Sequence, residues 1–349
     1  MLAPGPHAAT DGDLSGNDGV VTSRTIHGVF ELPQAIQLRA DCSGRQTRFR
    51  LADAEGMVCL PVLQTDLDGD RWVDTPTLVG YRDEEPAYAA VDPHFWGGPG
   101  SWHISKPLEA YMYVAALGVQ VRLDARRAQL PDHDIQELLG LALHAWFRDV
   151  ARWVEIFCHQ DLDTDAPMRT VRVHGEGVRL WRMRGSRRVP LATSSSLTLT
   201  KAPGHPLSAR TWDHILGLVS TNTAPVDEYR LIASARASHR RGQHRRCVLD
   251  CGTVLEMSAY RLLLDSERSA PSTLGGILVS QAETWTLGRL QGVLKQAGLA
   301  PPAFDSAVIK LRNDVTHKKA YSPSSAEAQK VLRATEELLE AAIPLPTVV

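Results

Sequence analysis

Residues 311–317 read LRNDVTH and place an arginine, an amide, a carboxylate and a histidine close together. Arg312 is a planar cation that keeps its charge at any working pH and can grip two phosphate oxygens. His317 supplies an imidazole, the side chain used most often to take or give a proton in catalysis. The two types together suit a reaction at a phosphate, where charge builds on oxygen while a proton must move. RNA is the simplest case, because its own 2′-hydroxyl can attack the adjacent phosphate without a metal. The same residues also have a structural reading, in which an arginine and a histidine near a helix end cap carbonyls or face water.

The stretch closes a mostly apolar segment, AVIKLRNDVTHKKAY, within an expected helix FDSAVIKLRNDVTHKKAY. Five residues on a regular helix set two side chains about 140° apart, so Arg312 and His317 do not share a face. Asn313 and His317, four apart, do. One helix holds such a set loosely, and neighbouring elements must position it.

From Leu207 onward the pattern is helical. LSARTWDHILGLVS is a short amphipathic segment, DEYRLIASARASHRR follows TNTAPV, and GQHRRCVLDCGTVLEMSAYRLLLDSE is long and apolar on one side. TLGRLQGVLKQAG ends at Gly298 with prolines beyond it. After the motif helix, SPSSAEAQKVLRATEELLEAAIP offers serines as a cap and strong helix formers within.

This order of helices resembles the HEPN family of small helical domains, many of them metal-independent endoribonucleases. RNDVTH fits the family's Arg-x4-6-His motif, with polar Asn313 directly after the arginine. RRCVLDCGTVLEMSAYRLLL is similar to its core helix, with Glu256 as an acid among apolar neighbours. TLGRLQGVLKQAG stands before the motif helix and AEAQKVLRATEELLEAA after it. The resemblance covers about residues 207–343 and does not extend to the first 200.

The resemblance implies that Arg312 stabilises phosphate charge, that His317 is general base or acid, and that Asn313 orients one of them. Asp314 and Glu256 are supporting residues. It further implies RNA as partner, no cofactor or metal, and a homodimer in which two Arg/His sets line one cleft. An unregulated nuclease would harm its own cell, so the N-terminal part is expected to sense a trigger or bind an inhibitor, as in antiviral defence or toxin systems. The rival expectation is a non-catalytic dimerisation or nucleic-acid-binding module.

Glu256 is read either as a buried partner of Arg312 or as an interfacial carboxylate reaching solvent. Arg240, Arg241, Arg245 and Arg246 crowd the stretch ARASHRRGQHRR around a turn at Gly242, and Lys318 and Lys319 follow His317. These six are the candidate RNA-binding cations, each phosphate contact giving salt-sensitive affinity. Such a run can equally be a solvated corner between helices.

Residues 20–200 have a different pattern: short apolar stretches separated by turn residues, such as TRFRLA, MVCLPVLQT, YMYVAALGVQVRLDA, TVRVHGEG and VRLWRMR. IQELLGLALHAWFRDVARWVEIF, residues 135–157, is the exception, with helical spacing and a candidate cap in LPDHD. The fold class expected is therefore α+β: an N-terminal mixed sheet domain with one long helix, then an all-α helical bundle at 207–345. SSLTLTKAPGHPLS is the expected linker and residues 1–19 a disordered leader.

LDGDRW is expected to turn a hairpin; as a calcium loop, DLDGDRWVD lacks glycine at its sixth position (Arg71) and glutamate at its twelfth (Thr77). WRMRGSRR is read as a hairpin, and DPHFWGGPGSWH as an aromatic loop that either plugs a sheet edge or holds a ligand. Five cysteines without a CxxC argue against disulfides or a zinc knuckle. His244, Cys247 and Cys251 would lack a fourth metal ligand, and the two cysteines are read as core thiols.

Residues 201–349 hold 18 Lys/Arg against 14 Asp/Glu, a balance of +4 within a chain of net charge −2. Nucleic-acid contact therefore has to come from a local patch. No run approaches the roughly 20 apolar residues of a membrane span, and the N-terminus has no secretion signal, so the expected place is the cytoplasm.

Overall fold

The computed structural model describes residues 23–51, 54–67, 71–76, 96–101, 110–162, 181–184, 187–190, 204–269, 281–282 and 284–348. The strands are β1 (Ser23–Arg39), β2 (Gln46–Leu51), β3 (Ala54–Cys59), β4 (Val62–Thr65), β5 (Arg71–Asp74), β6 (Gly97–Ser101), β7 (Ala110–Asp124), β8 (Trp181–Arg184) and β9 (Arg187–Pro190). The helices are α1 (Asp132–Cys158), α2 (Ala209–Ser220), α3 (Asp227–Arg240), α4 (His244–Ser269), α5 (Leu287–Gln296), α6 (Ser306–His317) and α7 (Ser325–Ala342). An antiparallel sheet region with one long helix thus precedes a helical region, an α+β architecture.

β7 is the spine of the sheet. It pairs along its length with β1, while β6 and β3 share its other edge and β2 continues from β3. The β1 register shifts between Glu31 and Ile36, where Pro33 has no N–H to give the ladder. α1 packs on this sheet through its aromatic residues. Phe147 meets Phe30 of β1 edge-on at 5.8 Å between centroids, and Trp146 meets Phe49 of β2 at 4.9 Å. Its start differs from expectation: Pro131 occupies the N-cap without a side-chain bond, and Asp132 and Asp134 in the first turn complement the helix dipole instead.

β4 pairs with β5 around the expected Asp-Gly hairpin, and β8 with β9 around the expected WRMRGSRR hairpin. The tips at 68–70 and 185–186, and the expected turn in HGEG, lie outside the described residues. The Gly/Pro-rich aromatic loop is corrected in part. Residues 97–101 form β6, with Pro99 on a strand at the sheet edge, a place where a missing N–H is tolerated.

Residues 204–208, the end of the expected linker, add to the sheet. Leu207 accepts from the Arg39 N–H at 2.7 Å and donates to the Gln37 carbonyl at 3.0 Å. Gln160 closes the same corner, accepting from Gln37 N–H at 2.9 Å and donating to the carbonyls of Gln37 and His205 at 2.9 and 3.0 Å. α2 then lies against β2 and α1, burying Trp212, Ile215 and Leu216. Its Asp213 accepts from Arg45 Nε at 2.9 Å and from Thr47 at 3.0 Å, and a second Arg45 nitrogen completes a bidentate grip.

α4 is the central helix of the remainder, packing on α3, α5, α6 and α7. Its inward face is Cys247, Val248, Cys251, Val254, Leu255 and Ala259. One continuous apolar core runs from the sheet through α1 and α2 into this bundle. Among the described residues, no helix is long and apolar enough to cross a membrane.

Candidate active site

α6 carries the Arg-x4-His stretch, and its start is determined locally. Asp305 is the N-cap, accepting from the Val308 N–H at 2.9 Å and holding Lys330 of α7 at 3.0 Å. The Val308 N–H, more than the lysine, keeps the Asp305 carboxyl below the usual carboxylate range. Val308, Leu311 and Val315 face the core, which turns Arg312 along the surface of α4.

Arg312 lies across Gly252. A Cβ there would stand 3.0 Å from Arg312 Cγ and 3.1 Å from Nε, so a glycine seats the side chain. The guanidinium pairs with Glu256, one turn further along the same face of α4, and donates to Asn313 Oδ1 at 3.2 Å. The Arg312 side chain is 22% exposed and that of Glu256 41%, so Glu256 is the arginine's partner but not a buried one: its carboxylate reaches solvent. A pair this exposed contributes about 0–1 kcal/mol to stability; its consequence is orientation.

His317 is the last residue of α6, and Lys318 beyond it is extended, with φ −99° and ψ 98°. The helix therefore ends earlier than the expected segment, before KKAY. The His317 ring is exposed and has no hydrogen-bond or ion-pair partner among the described residues. Asp314 pairs with Lys318 at 2.7 Å, and Lys319 is exposed.

The candidate RNA-binding cations divide. Arg240 donates to the His159 carbonyl at 3.0 Å and lies 3.5 Å from Asp161, and Arg241 lies 3.3 Å from the same carboxylate. Both face the end of α1, where they join the two regions. Arg245 donates to the carbonyls of Lys318 and Tyr321. Arg246, 68% exposed, lies 3.5 Å from Asp250. Arg245 and Arg246, with Gly242, His244, Leu249 and Ser322, line an open cavity of about 350 Å³ beside the end of α6. The structure thus brings Arg312, Asn313 and Glu256 together, sets His317 at the helix end nearby, and leaves Arg246, Lys318 and Lys319 open to solvent.

Two residues of the site are additions to the sequence reading. Gly252 had a signal, a glycine inside a run of helix formers. Asp305 also had one, an acid placed just before an apolar helical run. Cys247 and Cys251 are free, fully buried thiols, and that of Cys251 is pushed well up by a hydrogen bond with Cys247 and by burial. Among the described residues, no group of three or more His, Cys, Asp or Glu side chains is placed to hold a metal ion. No protein-family model matches the chain, and neither a curated protein nor a solved structure does.

Proposed function

We propose that the helical region is a metal-independent endoribonuclease of HEPN type, acting in the cytoplasm as a homodimer. The observation that carries this reading is Arg312, held over Gly252 by Glu256 and Asn313 five residues before an exposed His317 that has no partner among the described residues. An oriented guanidinium and a free imidazole at one helix end are the two groups that cutting RNA through its 2′-hydroxyl needs. His317 takes the 2′-hydroxyl proton, the 2′-oxygen bonds to phosphorus, and the bond to the 5′-oxygen breaks as that oxygen gains a proton. Arg312 holds the charged phosphate oxygens, and Asn313 orients the guanidinium. The products are a 2′,3′-cyclic phosphate and a 5′-hydroxyl. In a dimer with two sets in one cleft, one imidazole accepts the proton and the other returns it. The sheet region restrains or triggers the cut, as a host-defence or toxin protein requires.

The test is cleavage of labelled transfer and total RNA in EDTA by wild type, Arg312→Ala and His317→Ala. Cutting that resists EDTA, leaves cyclic-phosphate ends and falls by about 10²–10⁴-fold in each variant supports the reading. Both variants are expected to melt with wild type, because His317 has no partner among the described residues and the Arg312–Glu256 pair is partly in solvent. The Glu256 pair itself favours a second reading. A guanidinium already neutralised by a carboxylate suits a dimerisation or RNA-binding module, and RNA binding that is equal in all three proteins without any cutting would select it.

A further inference from the structure

α4 begins where α6 ends, since Arg312 lies over Gly252 while Arg245 reaches the chain just past His317. At that meeting Arg245 Nη1 donates to the Lys318 carbonyl at 3.2 Å and to the Tyr321 carbonyl at 2.8 Å. The segment between is a turn closed by Tyr321 N–H on the Lys318 carbonyl at 3.0 Å. Its far end is tied to α7, where the Tyr321 hydroxyl donates to Glu327 at 2.7 Å and Ser324 and Glu327 form a capping box. On the side of His317, Lys318 is held by its N–H on the Asp314 carbonyl at 2.9 Å and by its ammonium on the Asp314 carboxylate, and Arg245 adds the tie that spans the turn from Lys318 to Tyr321.

The Lys318 and Tyr321 carbonyls lie just past the end of α6, near the negative end of its dipole, where a cation is favourable. Terminal turns are also the parts that open most readily. With no hydrogen bond on its ring, His317 is placed by its backbone alone. We propose that Arg245 is a positioning residue for His317, holding the 318–321 turn so that the imidazole keeps its place relative to Arg312. This rests on the ribonuclease reading of His317. It also sets Arg245 apart from the other candidate RNA-binding cations, because its Nη1 is engaged by two protein carbonyls.

Arg245→Lys keeps the charge and shortens the reach, and Arg245→Met keeps bulk alone. Hydrogen exchange of the full-length protein without RNA is the first readout. Both variants are expected to exchange about tenfold faster over 317–321 while α4 and α7 keep their protection. Cleavage of transfer RNA is the second. The expected change is a fall in kcat of about 10–100-fold in both variants with KM within about twofold, and a pH profile that loses its dependence on a single ordered base. Unchanged exchange overturns the proposal. So does a rise in KM alone that Arg245→Lys restores, which would return Arg245 to phosphate binding. A wild type that cuts no RNA under any condition overturns the ribonuclease reading itself, and faster exchange would then leave Arg245 a structural tie.

Discussion

At the scale of the residue, the site depends on what stands opposite Arg312 as much as on the arginine. Gly252 is a position of α4 against which the Arg312 side chain lies, with Cγ, Nε and Cδ all within 3.6 Å of where a Cβ would stand. Alanine there should gain about 0.5–1 kcal/mol of helix propensity, yet its Cβ meets the arginine stem and shifts the guanidinium by a few tenths of an ångström. Under the proposed ribonuclease reading, Gly252→Ala is therefore expected to melt no lower than wild type while cutting about tenfold more slowly, since a small displacement of a group that stabilises charge is costly to rate. Calorimetry beside a cleavage assay checks this, and unchanged turnover would show that Gly252 does not seat the arginine. The spacing of Arg312, Asn313 and His317 was legible in the sequence. Glu256 as partner was legible only as one of two readings, because burial belongs to the fold.

At the scale of the element, α6 is set by its two ends. Asp305 caps the start, and loss of a cap typically costs about 1 kcal/mol. Asp305→Ala should lower stability by about that amount, whereas Asp305→Asn, which still accepts from Val308, should lose only the exposed contact with Lys330. The pH dependence has a definite sign. The folded carboxyl titrates below its unfolded value of about 3.9, so its contribution is complete above that pH and is lost as pH falls through the lower folded value. Denaturant melts of the three proteins at neutral and acid pH check it. Equal midpoints for Asp305→Ala and wild type at pH 7 would remove the cap from the account. Periodicity placed the seven helices given ranges among the described residues, but the end of α6 before Lys318 was not legible, because KKAY has no breaker and is drawn off by Arg245 and α7.

At the scale of the whole molecule, the sheet and the bundle meet around the end of α1. His159 closes that helix in the left-handed conformation, φ 56°, beside His205, Arg236 and Arg240. Burial first, and then Arg236, the neighbouring His205 and Arg240, push its imidazole down to about 3. A histidine held neutral binds its proton more readily when unfolded. Stability from this residue is therefore complete above about pH 6.5 and declines as pH falls toward the folded value, by at most about 1.4 kcal/mol per pH unit. Asn accepts the left-handed conformation and does not titrate. His159→Asn is expected to flatten the loss of stability between pH 6.5 and 4, measured by thermal melts across that range. An acid limb as steep as that of wild type would place the cause elsewhere.

The sequence alone determined what local physics controls. Helix period, hairpin turns and caps depend on neighbours a few residues away, and so the α+β order, the long α1 and the motif helix were all readable. The reactive types in LRNDVTH were readable for the same reason, since chemistry resides in single side chains. Tertiary structure decided the rest, because partners far apart in the chain carry no sequence mark. It gave Arg240 and Arg241 to Asp161, Arg245 to the carbonyls after His317, and Arg312 to Glu256. It also joined the 204–208 segment to β1 through Leu207, so the chain that reads as a linker is part of the sheet. A run of like charges has one appearance in sequence; which member faces solvent depends on the carboxylates and carbonyls that packing brings within reach.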